Sequence, residues 1–102
     1  MKKRYSDKQL TFIRKQAMIY QCACPAQICE SIENIRMLYK MQESCLDIND
    51  IDKSVHECIK ETAEKTHDEL EQCLATILQI EGWDMNSLIM PAHLSKRLLD
   101  DI

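Results

Sequence analysis

Apolar residues along this chain recur at steps of three and four, the spacing that gathers side chains on one face of an α-helix. Leu10, Ile13, Ala17 and Tyr20 form a first stripe, widened by Phe12 and Ile19. Ser6 precedes it, with Gln9 three positions on, the pattern of a capping box. Cys22-Ala23-Cys24-Pro25 interrupts the run. Proline constrains the residue before it and suits the first turn of a new helix. A second stripe follows through Ile28, Ile32, Ile35, Tyr39, Gln42 and Leu46, with the alternating steps of a coiled-coil seam. Asp47-Ile48-Asn49-Asp50 reads as a loop, with Asn49 or Asp50 available as a helix cap. A third stripe, Val55, Ile59, Thr62, Thr66, Leu70, Cys73, Ile77 and Ile80, runs up to Gly82, the only glycine and a natural C-terminal stop. Trp83 to Met90 is irregular yet apolar enough to fold back on the helices, and Pro91 can open a last helix through Leu94, Leu98 and Ile102.

These patterns predict an all-α fold: an antiparallel three-helix bundle with a short fourth C-terminal helix. One domain spans residues 1–102, with helices at about 7–22, 25–46, 51–81 and 92–101. Short connections at Cys24 and at 47–50 make neighbouring helices antiparallel. The expected core is Ile13, Ile28, Ile32, Ile35, Tyr39, Ile59, Leu70, Cys73 and Ile77. The second and third helices outrun the first, so part of their seam is expected to lack a cover within one chain.

Composition agrees with the pattern. One glycine and two prolines are too few to punctuate a many-stranded sandwich or barrel. Charge adds an asymmetry. The net charge of -4 divides into a basic start, with Lys2, Lys3, Arg4, Lys8, Arg14 and Lys15 against Asp7, and an acidic remainder. Such opposite charges attract within or between chains. The basic run is short and holds only Tyr5 and Phe12 as aromatics, which disfavours nucleic acid as the partner.

Met1-Lys2-Lys3-Arg4 imitates the start of a signal peptide, but Asp7, Lys8, Arg14 and Lys15 interrupt any apolar stretch behind it. No segment is long and apolar enough to span a membrane. The expectation is a cytoplasmic protein with no membrane partner, whose six cysteines are mostly reduced.

The cysteines are the first candidates for chemistry. Cys22, Cys24 and Cys29 surround the first helix junction, where thiolates can converge on a soft metal such as Zn or Cu(I). Cys24 falls at the start of the second helix, where the helix dipole favours a thiolate. In an antiparallel hairpin Cys73 comes near as a fourth ligand. The spacing matches no paired zinc motif, and Cys29 lies about 140° around the helix from Cys24. The plainer reading is four small buried apolar groups. Cys29 with Cys73 and Cys45 with Cys58 share a hairpin register, but Cys29 and Cys45 point about 160° apart, which argues against a doubly stapled hairpin.

Enzyme motifs are sparse. Glu64-Lys65-Thr66-His67 spells one Glu-x-x-His unit, where a di-iron bundle needs two. Judged from the third stripe, Glu64 and His67 face outward and pair with neighbours such as Glu71 in solvent. No phosphate loop or nucleophile elbow can be built around one glycine. No catalytic or cofactor-binding residue is assigned, and the reading leans away from an enzyme. The leading expectation is a helical module that binds a protein partner or itself as a homo-oligomer. The alternative is a metal-binding or redox-sensing protein using Cys22, Cys24, Cys29 and Cys73.

Overall fold

A computed structural model describes residues 1–19 and 23–94. Every regular element in them is helical: α1 (Asp7–Ala17), α2 (Cys24–Ser44) and α3 (Asp50–Glu81). The expected fourth helix begins with a helical turn at residues 92–94; the rest of it, and Tyr20 to Cys22, lie outside the described residues.

Local chemistry sets most of the boundaries. The Ser6 hydroxyl accepts from the Gln9 backbone N–H, and the Gln9 side chain accepts from the Ser6 N–H, so both halves of the capping box form. The Asn49 side chain accepts from the Asp52 N–H and starts α3. Gly82 ends it with φ +84°, a left-handed turn that glycine adopts without steric cost. α2 begins one residue before Pro25, with Ala23 as its cap residue, so Cys24 is already helical rather than the cap.

α1 is shorter than expected. It ends at Ala17 and not near residue 22, because Ile19 N–H turns back to the Gln16 carbonyl in a tighter turn. The Gln16 side chain is engaged elsewhere: its amide donates to the Leu88 carbonyl at 2.8 Å and accepts from Met90 N–H at 2.8 Å. That clamp holds the returning tail, in which Trp83, Leu88 and Met90 are buried as the sequence suggests.

α2 packs against both α1 and α3. Arg36 faces His67, Asp47 faces His56, and Asp7 and Arg14 of α1 face Arg36 and Glu33. In each pair of helices a step forward along one is a step backward along the other, so neighbours are antiparallel. One core joins the three: Leu10, Ile13 and Ala17 meet Ala26, Cys29 and Ile32 from α2 and Leu74, Ala75 and Leu78 from α3.

The inward face of α3 is not the expected one. Its buried positions are Ala63, His67, Glu71, Leu74, Ala75 and Leu78. The Val55-to-Ile80 stripe lies to one side: Leu70, Ile59 and Ile77 are half-buried, Cys73 is exposed, and Ile80 is 79% exposed. Cys73 therefore leaves the expected core, and Ile28, Ile35 and Tyr39 are only half-buried. The larger apolar side chains of α3 misdirect the phase, because small Ala63 and Ala75 let α3 approach its neighbours and a polar pair fills the space between them.

Candidate functional site

That polar pair is His67 and Glu71, 1% and 3% exposed, meeting the nearly buried Arg36. A guanidinium withdrawn from water must have its donors paired, or its burial costs several kcal/mol, roughly. Arg36 pairs on every side. Its Nε donates to His67 Nε2 at 2.9 Å, one terminal nitrogen donates to Asp7 Oδ1 at 2.7 Å, and the other donates to the Tyr5 carbonyl and to Glu71 Oε2 at 3.1 Å. Glu71 Oε2 also accepts the backbone N–H of Arg4 at 2.8 Å and of Tyr5 at 3.0 Å. Its other oxygen lies 3.5 Å from His67 Nδ1.

The arrangement fixes the histidine's chemistry. Arg36 can only donate, so His67 Nε2 must be the unprotonated acceptor and the ring proton sits on Nδ1, toward Glu71. Burial pushes the His67 pKa below its ordinary value; Glu71 opposes that shift, while Arg36 and Lys3 reinforce it. The Arg36 hydrogen bond holds the Asp7 carboxyl below the usual range. Both ring nitrogens of His67 are directed at protein groups, Arg36 and Glu71, and the network of the three joins the residues before α1, the middle of α2 and the middle of α3.

The expectation that His67 faces solvent is thus corrected. Within the Glu-x-x-His unit only His67 turns inward; Glu64 is exposed. Sequence reasoning missed Arg36 and Glu71 as well. A signal was present: Cys29, Ile32 and Arg36 share one helical phase, as do His67, Glu71, Leu74 and Leu78. Beside the Arg36 network an open groove of about 540 Å³ is lined by Lys3, Asp7, Glu33, Lys40 and Glu43, a mixture of both signs.

The cysteines fall in different environments. Cys22 lies outside the described residues. Cys24 occupies the first turn of α2 and is half-buried. Cys29 is wholly buried, its thiol pushed up to about 12, chiefly by burial. Cys73 is an exposed thiol on α3, and Cys45 and Cys58 are exposed thiols at the other end of the hairpin. Cys29 and Cys73 are not bonded, nor are Cys45 and Cys58. Among the described residues no three His, Cys, Asp or Glu side chains are grouped as metal ligands would be. No described helix is long and apolar enough to cross a membrane.

The hairpin of α2 and α3 has a second face, turned away from α1. At ~100° per residue, the stripe from Val55 to Ile80 occupies a sector about 80° wide on α3. Between Val55 and Ile80 no charged residue of α3 falls in that sector; Asp52, three residues before the stripe, lies at the sector's edge in the phase of Leu70, and Glu69 and Glu81 lie just outside it. On α2 the matching sector holds Ile28, Ser31, Ile35, Leu38 and Gln42, while Glu30, Glu33, Arg36, Lys40 and Glu43 all project elsewhere. Ile28 and Leu70 reach the edge of the core from this side. The face ends at a more exposed tip, where Leu46, Ile48 and Ile51 are each at least 75% exposed. Comparison of the chain with models of protein families, with curated proteins and with solved structures finds no match.

Proposed function

We propose that this chain is a non-catalytic helical module that works by protein–protein interaction, with the second face of the α2–α3 hairpin as its binding surface. One observation carries the reading: on two adjacent helices an uncharged, largely apolar stripe stays half-exposed, while the charges of both helices along its length, from Ile28 to Gln42 and from Val55 to Ile80, project elsewhere. Contiguous apolar patches beyond a few hundred Å², roughly, mark interaction sites on soluble domains. A solvated helix face would carry charges at these positions. The thiol-site alternative draws less support. It requires Cys29 to leave the core and Cys73 to leave the opposite side of the hairpin, and Cys29 resists ionisation where it stands.

Cys73 is a built-in reporter of the face. In dilute purified protein it should react with iodoacetamide readily. In the intact cells that make the protein, at its natural abundance, its labelling should be at least several-fold slower, because the partner covers it. Equal labelling rates in the two settings would remove the interaction reading.

A further inference from the structure

We infer that the partner which covers this face is the same face of a second copy of the chain, two hairpins closing into a four-helix assembly. The inference rests on the interaction reading above and adds the partner's identity. Two features select a second copy. The first is charge. An isologous contact sets every residue of the face against the same face, so a charged stripe would oppose its own sign. This stripe carries none: Leu70 and Cys73 of α3 and Ile35 and Leu38 of α2 are flanked within it only by Ser, Thr, Gln and further apolar residues. A partner recognised by its charge would find nothing to pair with there.

The second feature is size. From Val55 to Ile80 the stripe is about 38 Å long at 1.5 Å per residue, and two adjacent helices present a face some 20 Å wide. On α2 the stripe from Ile28 to Gln42 is only about 21 Å long, so the footprint is roughly 600 Å² per partner, at the lower end of specific stable interfaces. α1 lies on the opposite side of the hairpin and leaves the approach open. Two hairpins meeting through such faces bury apolar stripes in the manner of a helical bundle.

The test is sedimentation equilibrium of the full chain from one to one hundred micromolar, read beside the alkylation rate of Cys73. The expected result is a mass twice the 12.0 kDa of the chain at the upper end, with Cys73 labelling slowing as dimer forms. Thr66→Glu with Cys73→Glu places like charges in the centre of the face. It should return the protein to monomer, with helical circular dichroism retained. Lys8→Glu, on the outer side of α1, should leave the dimer intact and guards against a general effect of charge. Three outcomes overturn the proposal. A monomer at all concentrations whose Cys73 is nonetheless shielded in cells replaces the second copy with a different protein and leaves the interaction reading standing. A monomer whose Cys73 is shielded even in dilute solution points to residues 95–102 of the same chain. A dimer that survives the double substitution uses another surface.

Discussion

His67 cannot be protonated on Nε2 without turning the acceptor of the Arg36 hydrogen bond into a second cation. Arg36 and Lys3 resist that charge, Glu71 and Asp68 favour it, and burial decides the direction, downward from 6.5. The unfolded chain therefore binds this proton more readily than the folded one does. Stability should be fully present above about pH 6.5 and should fall as the pH drops below it toward the folded value. Denaturant midpoints at pH 7.5, 6.5 and 5.5 should decline in that order. In His67→Gln, whose side-chain oxygen can still accept from Arg36, the slope over this interval should flatten. A wild-type midpoint unchanged across the interval would show that the ring is not held neutral. Glu71→Ala should cost about 3–5 kcal/mol, since it leaves a buried guanidinium short of an acceptor and frees the N–H groups of Arg4 and Tyr5. A loss within half a kcal/mol, roughly, would mean that Arg36 finds water instead. None of this is legible from composition rules, which place arginine and glutamate outside. The helical phase that Arg36 shares with Cys29 and Ile32, and His67 and Glu71 with Leu74 and Leu78, is the one local sign of their burial, and on α3 the small Ala63 and Ala75 make that phase look weaker than the isoleucine-rich one.

Among the elements, the starts of α1 and α3 and the end of α3 were readable, the end of α1 was not, and the helix faces were readable only in part. Ser6, Asn49 and Gly82 act through backbone groups within a few residues, so local sequence determines them. Asn49→Ala should lower stability by ~1 kcal/mol through the loss of the bond to Asp52 N–H, as read from urea unfolding. Gly82→Ala should cost a similar ~1 kcal/mol. There is room for a Cβ, 4.0 Å from Pro91, and the penalty is that of a left-handed backbone alone. The faces depend on tertiary choice. α2 carries Ile32 to the core as its spacing suggests, and on α1 Leu10, Ile13 and Ala17 do the same. On α3 two stripes compete, about 120° apart at ~100° per residue, and the one richer in isoleucine loses. Cysteine reactivity separates the two phases: Cys29 should resist alkylation in the folded protein, and Cys73 of the monomer should react quickly. The reverse order would restore the rejected phase of α3.

At the scale of the whole molecule, a hairpin of two long helices has two faces, and the described residues supply a cover for only one of them. α1, the residues before it and the tail from Trp83 to Leu94 close the first face over the core. The second is left with apolar side chains, hydroxyls and thiols facing outward. Unequal helix lengths suggest an incomplete cover at the hairpin tip; among the described residues a lateral face is open as well, which the lengths do not indicate. If a second copy closes that face, folding and association are linked, and stability depends on how much protein is present. The most direct measurement is the thermal midpoint of the full chain, followed by circular dichroism at one and at one hundred micromolar. Closure by a second copy predicts a midpoint that climbs by several degrees over this range, since binding of a second folded copy adds about 1.4 kcal/mol per chain once its concentration exceeds the Kd about tenfold. A midpoint identical at the two concentrations would contradict it.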